Sequence, residues 1–146
     1  MKKTGKILKL FESHVGKNER VECLELRVDE NGVLNDKFYA KDRERSVLIS
    51  SIDSYLLATK NNIEMQYGDL GENIIVDFNP YHFPEKYQFQ IGEVIFEISQ
   101  YCTLCKSLTK IDSKLPKLLK NDRGVFAKVI NSGSIHKDSK VIYTER

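Results

Sequence analysis

Cysteine is scarce. The 146-residue chain has three, an odd number and too few for a disulfide framework. In a reducing compartment a close cysteine pair points to metal or redox chemistry instead of a structural bridge. Long hydrophobic runs are missing as well: no apolar stretch approaches the roughly 18 residues of a membrane span. Lys6, Lys9 and Glu12 break up the segment after Met1-Lys2-Lys3 in which a signal peptide would carry its apolar core. The expectation is a cytoplasmic protein with no membrane association. Repeats, linkers and low-complexity segments are absent too. Gly68 and Gly71 match neither a phosphate loop nor a dinucleotide fingerprint. His14, His82 and His136 are scattered, which gives no basis for a Ser-His-Asp triad. No second C-x-x-C or paired histidine completes a four-ligand zinc site.

What is present reads as one ordinary domain over residues 1–146, with 40% hydrophobic and 30% charged residues. Charge is uneven. Residues 1–100 hold 13 Lys/Arg against 17 Asp/Glu, and residues 101–146 hold 10 against 4. A basic C-terminal third attracts an anion or an acidic partner, or is simply a solvated lysine face. No aromatic interleaving or known motif accompanies it, so no nucleic-acid partner is expected.

Strand-like patterns dominate. Lys3–Phe11 and Arg20–Val28 read as strands, the second with Leu24, Leu26 and Val28 on one face and Val21 and Cys23 on the other. Cys23 lies within that apolar pattern and reads as a small core residue. Asn31-Gly32 is a hairpin signal, and Ser46–Ile49 reads as a short buried strand. Ser50 and Asp53 stand at capping-box spacing, predicting a helix to about Lys60 that buries Ile52, Leu56 and Tyr55. Ile74–Phe78, an alternating Phe89–Ile98 segment broken at Gly92, Gly124–Ile130 and Lys140–Tyr143 read as further strands. Pro116 argues against one unbroken helix over the lysine-rich stretch Ser107–Asn121. The fold class expected is mainly β, a barrel with one or two short helices.

Two stretches carry chemistry. Gly68-Asp69-Leu70-Gly71-Glu72-Asn73 is a glycine turn feeding the apolar strand Ile74–Val76, with Glu72 and Asn73 at the strand's mouth. About thirty residues on, Cys102-Thr103-Leu104-Cys105 holds two soft nucleophiles together, and Lys106 and Lys110 could supply a field that favours a thiolate. A turn with two buried thiols is the plainer alternative. In the cluster Lys41–Arg45, Arg43 and Arg45 lie just before a strand and could clamp a phosphate or carboxylate, or form local ion pairs on a solvated loop.

Taken in order, these elements resemble the MOSC domain family. Its Gly-x-x-Gly-Asp-x-His stretch looks like Gly32–Phe38, which places Asp36 at the family aspartate. Its Arg-led strand looks like Arg45–Ile49, and its Gly-x-x-Gly-Glu-Asn turn like Gly68–Asn73. The cysteine at a strand end looks like Cys102–Cys105, and the closing strand like Gly124-Val125-Phe126-Ala127-Lys128-Val129. The similarity runs from about residue 5 to residue 143. The chain departs from the pattern at Asn35 for glycine, at Phe38 for histidine, and at Cys102-Thr103-Leu104-Cys105 for Arg-x-Pro-Cys.

The resemblance implies a MOSC-like β-barrel and a role in sulfur or molybdenum cofactor metabolism. Cys105, matching the family position best, or Cys102 would accept and pass on sulfur. Alternatively Cys105 would ligate the metal of a molybdenum cofactor (molybdopterin). Arg45, Arg43, Asp36, Gly71, Glu72, Asn73 and Lys106 would hold or shape the place of the cofactor. The partner would be a cysteine desulfurase, which would carry the pyridoxal phosphate, or a molybdenum-cofactor enzyme. The activity implied is of sulfurtransferase type or dependent on molybdenum cofactor. The rival is a non-catalytic ligand- or partner-binding module that keeps the fold.

Overall fold

A computed structural model describes residues 2–17, 20–102, 106–120 and 123–144, with the backbone alone for Lys106 and Ser107. Among the described residues eleven strands and three short α-helices follow one another. The strands are β1 (Lys2–Glu12), β2 (Val21–Cys23), β3 (Glu25–Asp29), β4 (Gly32–Val33) and β5 (Val47–Ser51), followed by helix α1 (Ile52–Lys60). Then come β6 (Ile74–Val76), β7 (Gln88–Ile91), β8 (Val94–Tyr101), α2 (Lys106–Ile111) and α3 (Leu115–Leu118). The chain closes with β9 (Val125–Asn131), β10 (Gly133–His136) and β11 (Lys140–Thr144).

Seven strands close into a barrel in the order β1-β11-β7-β8-β9-β5-β6, with β6 returning to β1. Closure leaves the barrel strands without free edges. β2 extends from β1, and β10, β3 and β4 form a separate small sheet. The interior is aliphatic and aromatic: Leu10, Ile49, Ile74, Phe96, Ile98, Val125 and Val141 are almost wholly excluded from solvent.

Among the described residues every strand pairing but one is antiparallel. β5 and β6 run parallel, with Ile49 opposite Ile74 and Ser51 opposite Val76. A parallel pair cannot be joined by a hairpin and needs a long crossover. Here α1 and the Gly68–Asn73 turn are that crossover. They stack on the outside of the barrel, where Ala58, Ile63, Leu108, Leu115 and Leu119 form a second core.

The mainly β barrel agrees with the strand pattern of the sequence, as does the break in the lysine-rich segment, and two local expectations are corrected, the strand at Arg20–Val28 and the start and buried face of α1. Arg20–Val28 is not one strand. The chain bends at Leu24 and changes sheets, so Leu26 and Val28 are buried while Leu24 is 71% exposed. The cap of α1 is Ser51, one residue later than expected, its Oγ accepting from Asp53 N–H at 3.0 Å. The helix therefore turns Ser54, Tyr55 and Ala58 inward and leaves Leu56 in solvent. The lysine-rich segment is two helical pieces, with Pro116 in the first turn of α3 where a missing N–H does no harm.

Gly124 seats the strand that follows the cysteine pair. Its φ of +105° lies in the left-handed region, and a Cβ there would stand 2.5 Å from Ile49 O. Gly124→Ala should cost on the order of 2–4 kcal/mol, because backbone strain and a clash with β5 add together. Urea unfolding tests this. Leu24→Ser should stay within about 0.5 kcal/mol of wild type, while Leu26→Ala should lose about 2–5 kcal/mol.

Candidate functional site

The Gly68–Asn73 turn, the Asp36 loop and the end of β8 meet around one cavity of about 800 Å³. Gly68 (φ 99°) and Gly71 (φ 82°) give the turn its tight path. The turn ends on Asn73, which fastens three strands together. Asn73 Oδ1 accepts from Leu48 N–H at 3.1 Å and Nδ2 donates to Phe11 O at 3.2 Å. Its backbone N–H donates to Leu48 O at 2.8 Å, and its carbonyl accepts from Phe11 N–H at 2.7 Å. Asn73 lines the cavity with both ends of its side-chain amide engaged.

Glu72 is fully buried behind the turn. Its Oε1 accepts from the Tyr55 hydroxyl and from Gly68 N–H at 3.2 Å, while Oε2 has no hydrogen-bond partner among the described residues. Burial pushes the carboxyl above its ordinary value. The Tyr55 and Gly68 hydrogen bonds and the Arg20 charge oppose this without reversing it. Burial, and next the Glu72 charge, likewise hold the Tyr55 phenol protonated well above its usual range. Glu72 thus builds the wall from behind and is not among the residues that line the cavity.

Across the cavity Asp36 plays a matching part. Its Oδ1 accepts from Ser13 N–H at 2.5 Å and Oδ2 from Phe38 N–H at 3.1 Å. The preceding Asn35 has φ 69°. That left-handed position is one asparagine tolerates better than most residues, so the loss of the family glycine leaves the turn intact.

Among the described residues four cations line the cavity: Arg20, Lys37, Lys41 and Arg45. Arg45 lies over the Phe126 ring at 5.1 Å and donates to Gln100 Oε1 at 3.4 Å. Arg43 faces elsewhere, donating to Asn31 Oδ1 at 3.3 Å and standing 3.7 Å from Glu30. It is absent from the cavity lining. Arg20, which opens the strand pattern at Val21, gave no sign in the sequence of being a site residue. It is half-buried. Burial lowers the proton affinity of its guanidinium, and the neighbouring Asp36 and Glu72 charges counteract this. Phe38, at the family histidine position, sits 5.5 Å from Arg20 and 5.3 Å from the Lys37 ammonium.

Cys102 also lines the cavity, half-buried, its backbone N–H donating to Gly124 O at 3.1 Å. Cys105, expected as carrier and metal ligand, lies outside the described residues, as does the Lys106 side chain. Lys110 is exposed on α2. Cys23 packs against the barrel core, and burial pushes its thiol up to about 11, as suits a core residue. No histidine lines the cavity. Among the described residues no three His, Cys, Asp or Glu side chains are placed to hold a metal ion. No helix is long and apolar enough to cross a membrane.

A family model of the MOSC domain matches residues 13–142. The chain belongs to the MOSC domain family. The match brackets the cavity, from Ser13 to the last strand. Solved structures agree in fold. The YuaD protein from Bacillus subtilis superposes with a TM-score of 0.84 at 15% identity, covering 100% of this chain and 99% of that one. YiiM from Geobacillus stearothermophilus gives 0.78 at 13% identity, covering 97% and 76%. YiiM from Escherichia coli gives 0.68 at 20% identity, covering 94% and 70%. Comparison with curated protein sequences finds no match.

Two expectations follow for the MOSC turn. Asn73→Ala strands Leu48 N–H and Phe11 C=O in the interior and should lower stability by about 2–4 kcal/mol in urea unfolding. The raised Glu72 carboxyl makes stability depend on pH. Below its ordinary value of 4.5 both folded and unfolded chains keep the proton. Above that, the unfolded chain releases the proton while the folded protein holds it, so stability falls until pH passes the folded value. Unfolding curves between pH 4 and 8 should decline more steeply for wild type than for Glu72→Gln. Parallel declines would contradict this.

Proposed function

We propose that this MOSC protein uses its cavity to hold an anionic ligand against the cysteine pair, as a sulfur carrier or a binder of molybdenum cofactor. One observation carries the reading. Cys102 and the Gly68–Asn73 turn, about thirty residues apart in sequence, line the same cavity as the cationic side chains of Arg20, Lys41 and Arg45.

In the carrier form, a cysteine desulfurase supplies sulfur as a persulfide on its own cysteine. The thiolate of this protein attacks the terminal sulfur, and a new S–S bond forms as the donor's S–S bond breaks. The donor cysteine leaves as a thiolate. One sulfane sulfur moves, and no oxidant or reductant is consumed. The chain has no lysine motif for pyridoxal phosphate, so that cofactor belongs to the desulfurase. The basic C-terminal third gives an acidic partner surface something to meet.

In the cofactor form, the same residues receive a molybdopterin-type group, and a thiolate of the pair suits its soft metal. When bound, that group would supply redox chemistry at molybdenum. The donor set fits it. Ser13 Oγ and Arg20 Nη1 are buried polar atoms without partners among the described residues, and Arg45 and Lys41 add positive charge at the lining. Asn73 and Glu72 keep the wall rigid behind them. One feature favours the rival of a plain binding module. Phe38 presents an apolar ring to the cavity where the family pattern has a titratable histidine.

Intact-mass spectrometry after incubation with a cysteine desulfurase and free cysteine separates these readings. The carrier form predicts a gain of one sulfur atom that disappears in Cys105→Ser or Cys102→Ser. With no adduct on any form of the protein, the carrier reading fails. Molybdenum content of the purified protein then decides between the cofactor form and the binding module.

A further inference from the structure

The solvent face of α2 and α3 carries charge that no contact of the fold uses. Leu108, Leu115 and Leu119 are buried in the second core with Ala58 and Ile63. Between them Lys110, Lys114, Lys117 and Lys120 stand three and four residues apart, all exposed. None of the four side chains has an ion pair or hydrogen bond among the described residues. Lysines elsewhere do: Lys9 meets Glu22 at 3.0 Å and Lys128 meets Glu97 at 3.2 Å. Asp112, the one acidic residue of Lys106–Lys120, already accepts from Lys114 N–H at 2.8 Å.

An open groove of about 640 Å³ lies between α3 and the end of α1. Ile63 and Leu118 give it an apolar base, Lys114 and Lys117 its cations, and Asn61 and Ser113 neutral polar groups. Among the described residues no carboxylate lines it, and it shares no residue with the cavity at the barrel mouth. Its walls are fixed from behind. Leu115 and Leu119 are wholly buried, the Arg123 guanidinium donates to Pro116 O, and Asn61 Nδ2 donates to Leu57 O at 2.9 Å. A partner therefore meets a preformed surface, with little ordering left to oppose binding.

The shape and chemistry select the occupant. A groove open along one side does not enclose a small molecule, which needs most of its surface buried. Single-stranded nucleic acid is held by aromatic faces on which bases stack, and no aromatic residue lines the groove. A membrane surface is met by exposed apolar side chains beside the lysines, and α2 and α3 expose no large apolar residue. An apolar base between cations matches an amphipathic helix laid into a groove, with carboxylates flanking its apolar stripe.

We propose that the groove between α3 and the end of α1 docks an acidic amphipathic helix of a partner protein, its carboxylates meeting Lys114 and Lys117 and its apolar side chains covering Ile63 and Leu118. Lys110 and Lys120 widen the positive field that steers such a partner. Because α2 begins at Lys106, directly after Cys105, docking at α3 holds the partner one short helix along the chain from the cysteine pair. The proposal does not rest on the carrier or cofactor reading, since no residue of the groove lines the cavity.

Selection from a displayed library of random peptides about 16 residues long, enough for four helical turns, tests it. Wild type is the bait and Lys114→Glu/Lys117→Glu the counter-bait. Peptides that bind only wild type should be rich in Asp and Glu, with Leu, Ile or Phe recurring at helical spacing. In fluorescence anisotropy the best of them should bind Lys114→Gln/Lys117→Gln about fivefold or more weakly, and should weaken as salt rises. Lys6 and Lys140 are exposed and face each other across β1 and β11. Lys6→Gln/Lys140→Gln removes the same charge there and should stay within about twofold of wild type. Serine in place of the peptide's apolar residues should abolish binding. The substituted lysines are exposed, so these variants keep the fold. The docking surface is overturned if no peptide is enriched, if bait and counter-bait enrich the same peptides, if those peptides lack acidic bias, or if both glutamine variants weaken binding alike. It is overturned in favour of another occupant in two further cases. One is that phosphatidylserine vesicles or single-stranded DNA, and no peptide, bind wild type and not Lys114→Gln/Lys117→Gln. The other is that wild type self-associates in sedimentation and that variant does not.

Discussion

The side chain of Asn73 is the contact on which the site depends. β6 is short and parallel to β5, and its pairing with β1 shifts register between Ile7 and Lys9. Just beyond its start, Asn73 continues the ladder with its own amide, bonding Leu48 on β5 and Phe11 on β1 at once. A hydrophobic residue could fill the space but could not satisfy both backbone groups, which in the interior must find partners. The Gly68–Asn73 turn is thereby fixed to the barrel mouth, and Glu72 beside it is committed to the inside. The cavity wall is a consequence of barrel closure.

From that anchoring follows the electrostatic character of the cavity. A small barrel rim assembled from loops must satisfy many N–H groups. Here carboxylates do much of that work: Asp36 for the Ser13–Phe38 loop, Asp42 for the 3₁₀ turn at Arg43–Arg45, and Asp69 for the turn at Gln66. Each carboxylate bound to backbone is one fewer acceptor for the neighbouring cations. The formal net charge of the chain is only +2, yet Arg20, Lys37, Lys41 and Arg45 all line the one cavity. Local geometry, more than overall composition, sets what the cavity attracts.

Much of the barrel could be read from the chain because period-2 patterning and glycine turns are local signals. Gly92 breaks the long alternating segment as expected, and the lysine-rich one is broken between Ile111 and Leu115, just ahead of Pro116. Leu24 and the cap of α1 went the other way for equally local reasons. Alternation says nothing about where a strand leaves one sheet for another, and Ser50 and Ser51 compete for a cap that only the exit angle from β5 decides. At the site, the glycine turn and Cys102 were legible because their residue types are unusual together. Arg45 was legible as a cation before a strand, but so was Arg43, which pairs with Glu30 instead. Ser13 and Arg20 were not legible. Both line the cavity, and what brings them there is the packing of separate strand ends, visible only in three dimensions.

The account's central claim is that the positive cavity and the reactive thiol are one site. Alkylation rates compare this directly, using negatively charged iodoacetate and neutral iodoacetamide, with each cysteine read by peptide mapping. The ratio of the two rates cancels thiol acidity and reports the local field on the reagent. A ratio at Cys102 well above that of the unfolded chain is expected, falling as ionic strength rises and in Arg45→Met. A ratio equal to that of the unfolded chain and insensitive to salt would contradict the claim.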